Sequence, residues 1–326
     1  MMRGMDLRAR IFELTALHGL SATQALRLHR LAGLFDEPAL LQRWLPRIIA
    51  TLAAALGGLG LVMWVAANWA GLGRFERFAL LQGLILLLCA GAALRPAARP
   101  PLALLAFVTT GALFAFLGQT YQTGADAWQL FALWAVLGLP LAVAVRSDLL
   151  WAPWALVVLT GISLWTQTHT GRSWRVQPED LGVHLLGFGA MLALGAWLGP
   201  PLRRWTGAGL WSLRLVALFA VIALSLSAGV GLFHERIAPQ YGLGLLILGL
   251  AAGLLATRRG FDVFALSAMA LGLNALLVLG LARLLFSGRG DQVGSFLLVG
   301  LLASGLLAAS VSGILRLSRH YSEESA

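Results

Sequence analysis

Long apolar runs follow one another along the chain, and most of the short stretches between them carry one or two arginines, an alternation that leaves few folds open. Ten runs stand out, near residues 47–69, 75–94, 101–120, 128–145, 149–166, 181–199, 210–233, 240–256, 261–280 and 293–315. A backbone surrounded by hydrocarbon must satisfy its own N–H and C=O groups, which a helix does within one segment. About 20 residues then reach across the ~30 Å apolar core of a bilayer. The expected fold class is an all-α integral membrane protein, a polytopic helical bundle of about ten transmembrane helices with a short N-terminal cytoplasmic helical segment. The expected division is residues 1–46 as that segment, 47–315 as the bundle and 316–326 as a cytoplasmic tail. The fourth and fifth runs are separated only by Arg146, Ser147 and Asp148, so a helical hairpin that stops short of crossing is the alternative there.

Composition closes the other routes. Hydrophobic residues make up 59% of the chain and charged residues 12%, with a mean hydropathy of +0.82. A soluble domain carries about 25% charged residues and cannot expose this much apolar surface. The net charge of +10 does not point to nucleic acid, because the basic residues are scattered singly and in pairs and line no one face. They mark topology instead. With the N-terminus inside, 17 of the 24 arginines fall on the cytoplasmic side, among them the short-loop pairs Arg203/Arg204 and Arg258/Arg259. Both termini are therefore expected in the cytoplasm. The single Cys89 rules out an intrachain disulfide. No cleavable signal peptide is expected, since Arg3, Arg8 and Arg10 lead into mixed polar and apolar sequence.

Before the first run, Leu7, Ile11, Leu14 and Leu17 recur at helical spacing. Gly19 ends that helix, and Ser21 with Gln24 opens a second one that Gly33 closes. Asp36 and Pro38 suit the start of a third short helix to Trp44. This segment reads as a helical cap on the membrane face or as a docking site for a cytoplasmic partner.

All 14 acidic residues fall outside the runs or at their ends, so no carboxylate is expected at membrane depth, where proton-coupled carriers keep one. The densest polar cluster is Gln119-Thr120-Tyr121-Gln122-Thr123-Gly124-Ala125-Asp126 between the third and fourth runs. Its amides, hydroxyls and carboxylate suit a ligand or partner surface. The structural alternative makes Asp126 and Gln129 a reciprocal helix cap, with Tyr121 and Trp128 as interfacial anchors. Asn68, at the end of the first run, is placed on the same expected outer face. Gln82 and Asn274 are the deepest amides, read as interhelical hydrogen bonds or as the lining of a path. His169, His184 and His234 lack zincin spacing, so neither a metal site nor a cofactor is expected, and no nucleophile motif or phosphate loop supports an enzyme.

Gly19-Leu20-Ser21, then Val65-Ala66-Ala67-Asn68-Trp69, then Gly118-Gln119-Thr120-Tyr121-Gln122 with Asp126 and Trp134, resemble the bacterial predicted membrane proteins called domain of unknown function twenty-one fifty-seven. The resemblance covers about residues 5–155. It implies a bacterial inner-membrane location and brings no established activity. The expectation is a non-enzymatic membrane scaffold or envelope component whose contacts are the bilayer and a membrane or cytoplasmic protein. The alternative is a transporter or channel for a neutral or zwitterionic solute.

Overall fold

The computed structural model describes residues 11–31, 39–67, 71–121, 124–171, 176–234, 236–257, 260–287 and 292–323. Two compact units divide the chain, Met1–Ala66 and Ala67–Ala326. In the first, residues 11–17 form α1, which ends at Gly19, whose φ of +55° lies in the left-handed region that a side chain resists. Helix α2 spans Ala22–Leu31. At its start the Gln24 side-chain oxygen accepts from the Ser21 backbone N–H and hydroxyl, both at 3.1 Å, half of the capping box that the sequence suggested. Leu7, Gly33, Asp36 and Pro38, used in the same reading, lie outside the described residues. The expected short helix ending at Trp44 is not separate: α3 runs unbroken over Ala39–Ala67 with Pro46 inside it. One proline removes one backbone donor, and the hydrogen bonds of the remaining turns carry the helix past it.

The second unit contains α4 (Arg74–Leu94), α5 (Arg99–Tyr121), α6 (Ala127–Val145), α7 (Asp148–His169), α8 (Leu181–Leu198), the single turn α9 (Arg203–Thr206), α10 (Leu210–Leu232), α11 (Pro239–Leu255), α12 (Val263–Phe286) and α13 (Gln292–Glu323). Among the described residues, eight helices are long and apolar enough to cross a membrane. Helix α11 falls one residue below that length at 17 residues, and within α3 the apolar stretch is Trp44–Gly60. Helices α6 and α7, with 19 and 22 residues, extend about 28 and 33 Å, and both are among those eight. Helix α11 also runs the full depth of its neighbours. Near its start Gln240 donates to the Gln177 carbonyl ahead of α8, and just past its end the Ala256 carbonyl accepts from Tyr321 in the last turn of α13.

Helix α10 is the axis of this unit, packed against α7, α8, α11 and α12, while α13 lies on α12. In lipid, apolar side chains gain little by choosing a helix over a fatty tail, so close packing and interhelical hydrogen bonds must select the neighbours. Indoles and a phenol supply many of those bonds. Trp134 of α6 donates to the Phe107 carbonyl of α5 at 2.9 Å, Trp154 of α7 to Ala135 of α6 at 2.8 Å, and Trp151 to Thr206 of α9 at 2.7 Å. Tyr241 of α11 reaches the Leu276 carbonyl of α12 at 3.0 Å. Trp134, Trp154 and Tyr241 bond to carbonyls within the neighbouring helices, each using a second lone pair, and Trp151 satisfies the terminal carbonyl of α9. These rings need space, and glycine provides it: any side chain at Gly111 would overlap Trp134, and one at Gly280 would overlap the Tyr241 hydroxyl.

One end of the unit is closed by the Arg146-Ser147-Asp148 turn. Arg146 adopts a left-handed backbone, φ 52°, and its guanidinium donates to the Arg204 carbonyl. Ser147 caps α7, and the Asp148 carboxylate turns across to α10. There it accepts from the backbone N–H groups of Gly209 (2.9 Å), Trp211 (2.8 Å) and Ser212 (3.1 Å). One side chain thereby satisfies three of the amides that the start of a helix leaves without partners. Below it, Trp151, Leu150 and Leu198 are fully buried. At the same end Arg214 of α10 is ion-paired at 2.9 Å with Asp262, which also caps α12 through the Ala265 N–H at 2.9 Å. Burial pushes the Asp262 carboxyl up, but the Arg214 hydrogen bond and charge and the two backbone N–H bonds outweigh it, so its pKa lies below the usual value.

Candidate functional site

The opposite end, where α5 meets α6, carries the polar cluster singled out from sequence. Gln119 is exposed near the end of α5 and lines a shallow cleft with Ala115, Gly118, Gly124 and Leu130. Asp126 lines an adjoining cleft with Gly124, Ala125, Leu164, Gln167 and Thr168. The two clefts share Gly124, Ala125 and Ala127, and Gly124 takes the positive φ, +67°, that turns the chain. Asp126 occupies the N-cap position of α6, yet its side chain makes no capping bond to the helix, so the expected reciprocal cap with Gln129 does not form. An extended backbone with ψ of 146° places Asp126 at the helix start, and the first turn closes through the Gln129 N–H and the Asp126 carbonyl at 3.0 Å. Tyr121 is half-exposed and turns its ring toward Phe78 of α4, 5.9 Å between centroids. Asn68 and Gln122 lie outside the described residues.

The deep amides do not join this cluster. Asn274 of α12 is buried, donates to the Ser310 hydroxyl of α13 at 2.9 Å, and accepts from it at 3.3 Å. Gln82 sits on an exposed face of α4. Neither lines the clefts above. The histidines are also apart: Nδ1 of His169 pairs with the Trp165 carbonyl at 2.8 Å, and Nδ1 of His184 with the Asp180 carbonyl at 3.0 Å. Among the described residues no three His, Cys, Asp or Glu side chains gather around one point.

A second site at this end was missed from sequence. Helices α7, α8 and α10 enclose a pocket of about 330 Å³. Helix α7 presents Ser163, Thr166, Gln167 and Thr170 to it, a stripe at i, i+3, i+4 and i+7 that lies on one helical face. Helix α8 adds buried His184, Phe188 and Met191, and α10 adds Phe219, Ile222, Ala223 and Ser227. Thr166 returns its hydroxyl to the Ile162 carbonyl at 2.9 Å, whereas the side chains of Ser163, Gln167 and Ser227 have no hydrogen-bond partner among the described residues. Gln167 lines both this pocket and the cleft of Asp126, so the polar surface passes from the α5–α6 connection into the bundle. The signal was present in the sequence as four polar residues at helical spacing, two inside the fifth run and two just beyond its end. It was obscured because the fifth run ends at residue 166, whereas α7 continues to His169.

Residues 13–151 match the family described as Predicted membrane protein (DUF2157). The match takes in the α5–α6 cluster and stops within the first turn of α7, leaving most of the α7, α8 and α10 pocket beyond it. No curated protein and no solved structure matches the chain.

Proposed function

We propose that this multi-span helical membrane protein is a non-enzymatic scaffold of the bacterial inner membrane, with both termini in the cytoplasm. The Gln119, Tyr121 and Asp126 surface faces outward as the contact for a partner, and Asn68 and Gln122 are the further residues that the sequence assigns to it. The observation that carries this reading is the pairing of Asn274 with Ser310. An amide lining a solute path must stay available to solute or water, and this one is taken up by a neighbouring helix. The Asp148 end supports the same reading, since its carboxylate, Arg146 and Trp151 all serve helix-to-helix contacts. Orientation rests on the arginine distribution, which places the Asp148 end in the cytoplasm.

Reconstitution into liposomes tests the proposal. Efflux of labelled glycerol and of labelled glycine betaine should be no faster than from protein-free vesicles. A saturable flux that Asn274→Leu abolishes would overturn the scaffold reading in favour of a carrier for neutral or zwitterionic solutes.

A further inference from the structure

The pocket between α7, α8 and α10 is built unevenly, and the unevenness defines what fits. Along α10 it extends from Val230, near the helix end, to Phe219 at mid-helix, about 16 Å at 1.5 Å per residue. Toward the helix ends the lining is polar, with Gln167, Thr170, His184 and Ser227. Toward the middle it is dominated by Phe188, Met191, Phe219 and Ile222. No Arg, Asp or Glu lines it among the described residues. A charged head bound here would meet no counter-charge. The Ser163, Gln167 and Ser227 side chains, exposed or half-buried and without a hydrogen-bond partner among the described residues, are open to a hydrogen-bonding guest. On the α10 side Ile222, Leu226 and Val230 are 51%, 60% and 42% exposed, so the pocket is open sideways across an apolar edge.

We propose that this pocket binds an uncharged single-chain amphiphile, its hydroxyl- or amide-bearing head at Gln167, Thr170 and Ser227 and its chain along Phe188, Met191 and Phe219. The guest enters from the bilayer past Leu226. A volume of about 330 Å³ equals roughly eleven water-sized units at about 30 Å³ each, room for one medium-length acyl chain inside the pocket. The site does not depend on the scaffold reading, because an amphiphile can be held by a carrier or a scaffold alike.

The test uses the full chain purified in detergent and a monoacylglycerol with a diazirine in its acyl chain. Photolabelling should saturate, be competed by unlabelled monoacylglycerol, and map to peptides containing Phe188 and Phe219. Ala223→Trp, which fills the pocket, should abolish it. The matched Ala190→Trp, in the neighbouring apolar cleft between α6, α7 and α8, should not. Gln167→Leu, a milder change that leaves the chain-binding end intact, should weaken binding up to about tenfold, as loss of one hydrogen bond does. Analogues with a phosphate or a trimethylammonium head should bind at least tenfold more weakly than the neutral one, because the lining offers no counter-charge. Equal labelling of the Ala223→Trp variant and the parent would overturn the site, and equal binding of charged and neutral heads would overturn the ligand class.

Discussion

Removing the Asp148 carboxylate is the most informative single perturbation of the fold. Its two oxygens receive three backbone N–H groups at 2.8–3.1 Å from the first residues of α10, the helix that contacts α7, α8, α11 and α12. An ordinary N-cap satisfies one such donor and is worth about 0.5–2 kcal/mol, with a further 0.3–1 kcal/mol from a negative charge at the positive end of the helix dipole. Three donors held by one partly buried carboxylate place Asp148→Ala at about 2–4 kcal/mol, roughly a 30- to 900-fold shift of the unfolding equilibrium. Asp148→Asn keeps one carbonyl oxygen for Gly209 and Ser212 but loses the charge and sets an amide N–H against that of Trp211, so about half the loss is expected. Gly209 provides an independent check, because a methyl group there collides with the Asp148 carboxylate. Gly209→Ala should destabilise by about 1–3 kcal/mol, and the Gly209→Ala, Asp148→Ala pair should cost less than the sum of the two. Reversible unfolding in mixed micelles, followed by tryptophan fluorescence, gives all four values. The reasoning fails if Asp148→Ala stays within about 0.5 kcal/mol of the parent, or if the double variant is additive.

Three further outcomes follow from the packing. Trp151→Ala should cost about 3–5 kcal/mol and Trp151→Phe about 1–3 kcal/mol, the second combining loss of the bond to the Thr206 carbonyl with the smaller cavity the missing ring atoms leave; both are read from the same unfolding curves. Gly111→Leu should destabilise by at least about 1–3 kcal/mol because its side chain would overlap the Trp134 ring, whereas Gly249→Leu, where a Cβ meets nothing within 4 Å, should be close to neutral. Asp262, whose native pKa lies below its unfolded value of about 3.9, contributes stability that is complete above that value and disappears as pH falls through the lower native one. A melting-temperature series from pH 6 to pH 2 should therefore show a loss at the acid end that Arg214→Gln makes smaller; an unchanged slope in that variant would contradict it.

The class of fold was legible in the sequence because the constraint behind it is strong: in lipid every backbone group must be paired, so twenty apolar residues leave little choice. Capping at Ser21 was legible for the same local reason. Contacts between helices were not. Asp148 reads from sequence as an ordinary first-turn acid of α7, and nothing in its neighbourhood announces that Gly209, Trp211 and Ser212 lie opposite it. The indole bonds of Trp134, Trp151 and Trp154 likewise depend on which backbone carbonyl faces them, a property of packing and not of spacing. The α7 stripe at Ser163, Thr166, Gln167 and Thr170 was within reach of periodicity alone. What sequence could not supply was the apolar half of the pocket, which α8 and α10 contribute from later in the chain.

The central claim is that the bundle holds no water-filled path from one side of the membrane to the other. Single cysteines in a Cys89→Ala background test it directly, at Thr170 on the pocket rim and at Asn274 and Leu276 inside the α12 packing, using a membrane-impermeant maleimide from each face in turn. The account predicts labelling at position 170 from the periplasm and none at 274 or 276 from either side. Labelling at 274 or 276 from either face would place water in the core of the bundle and contradict it.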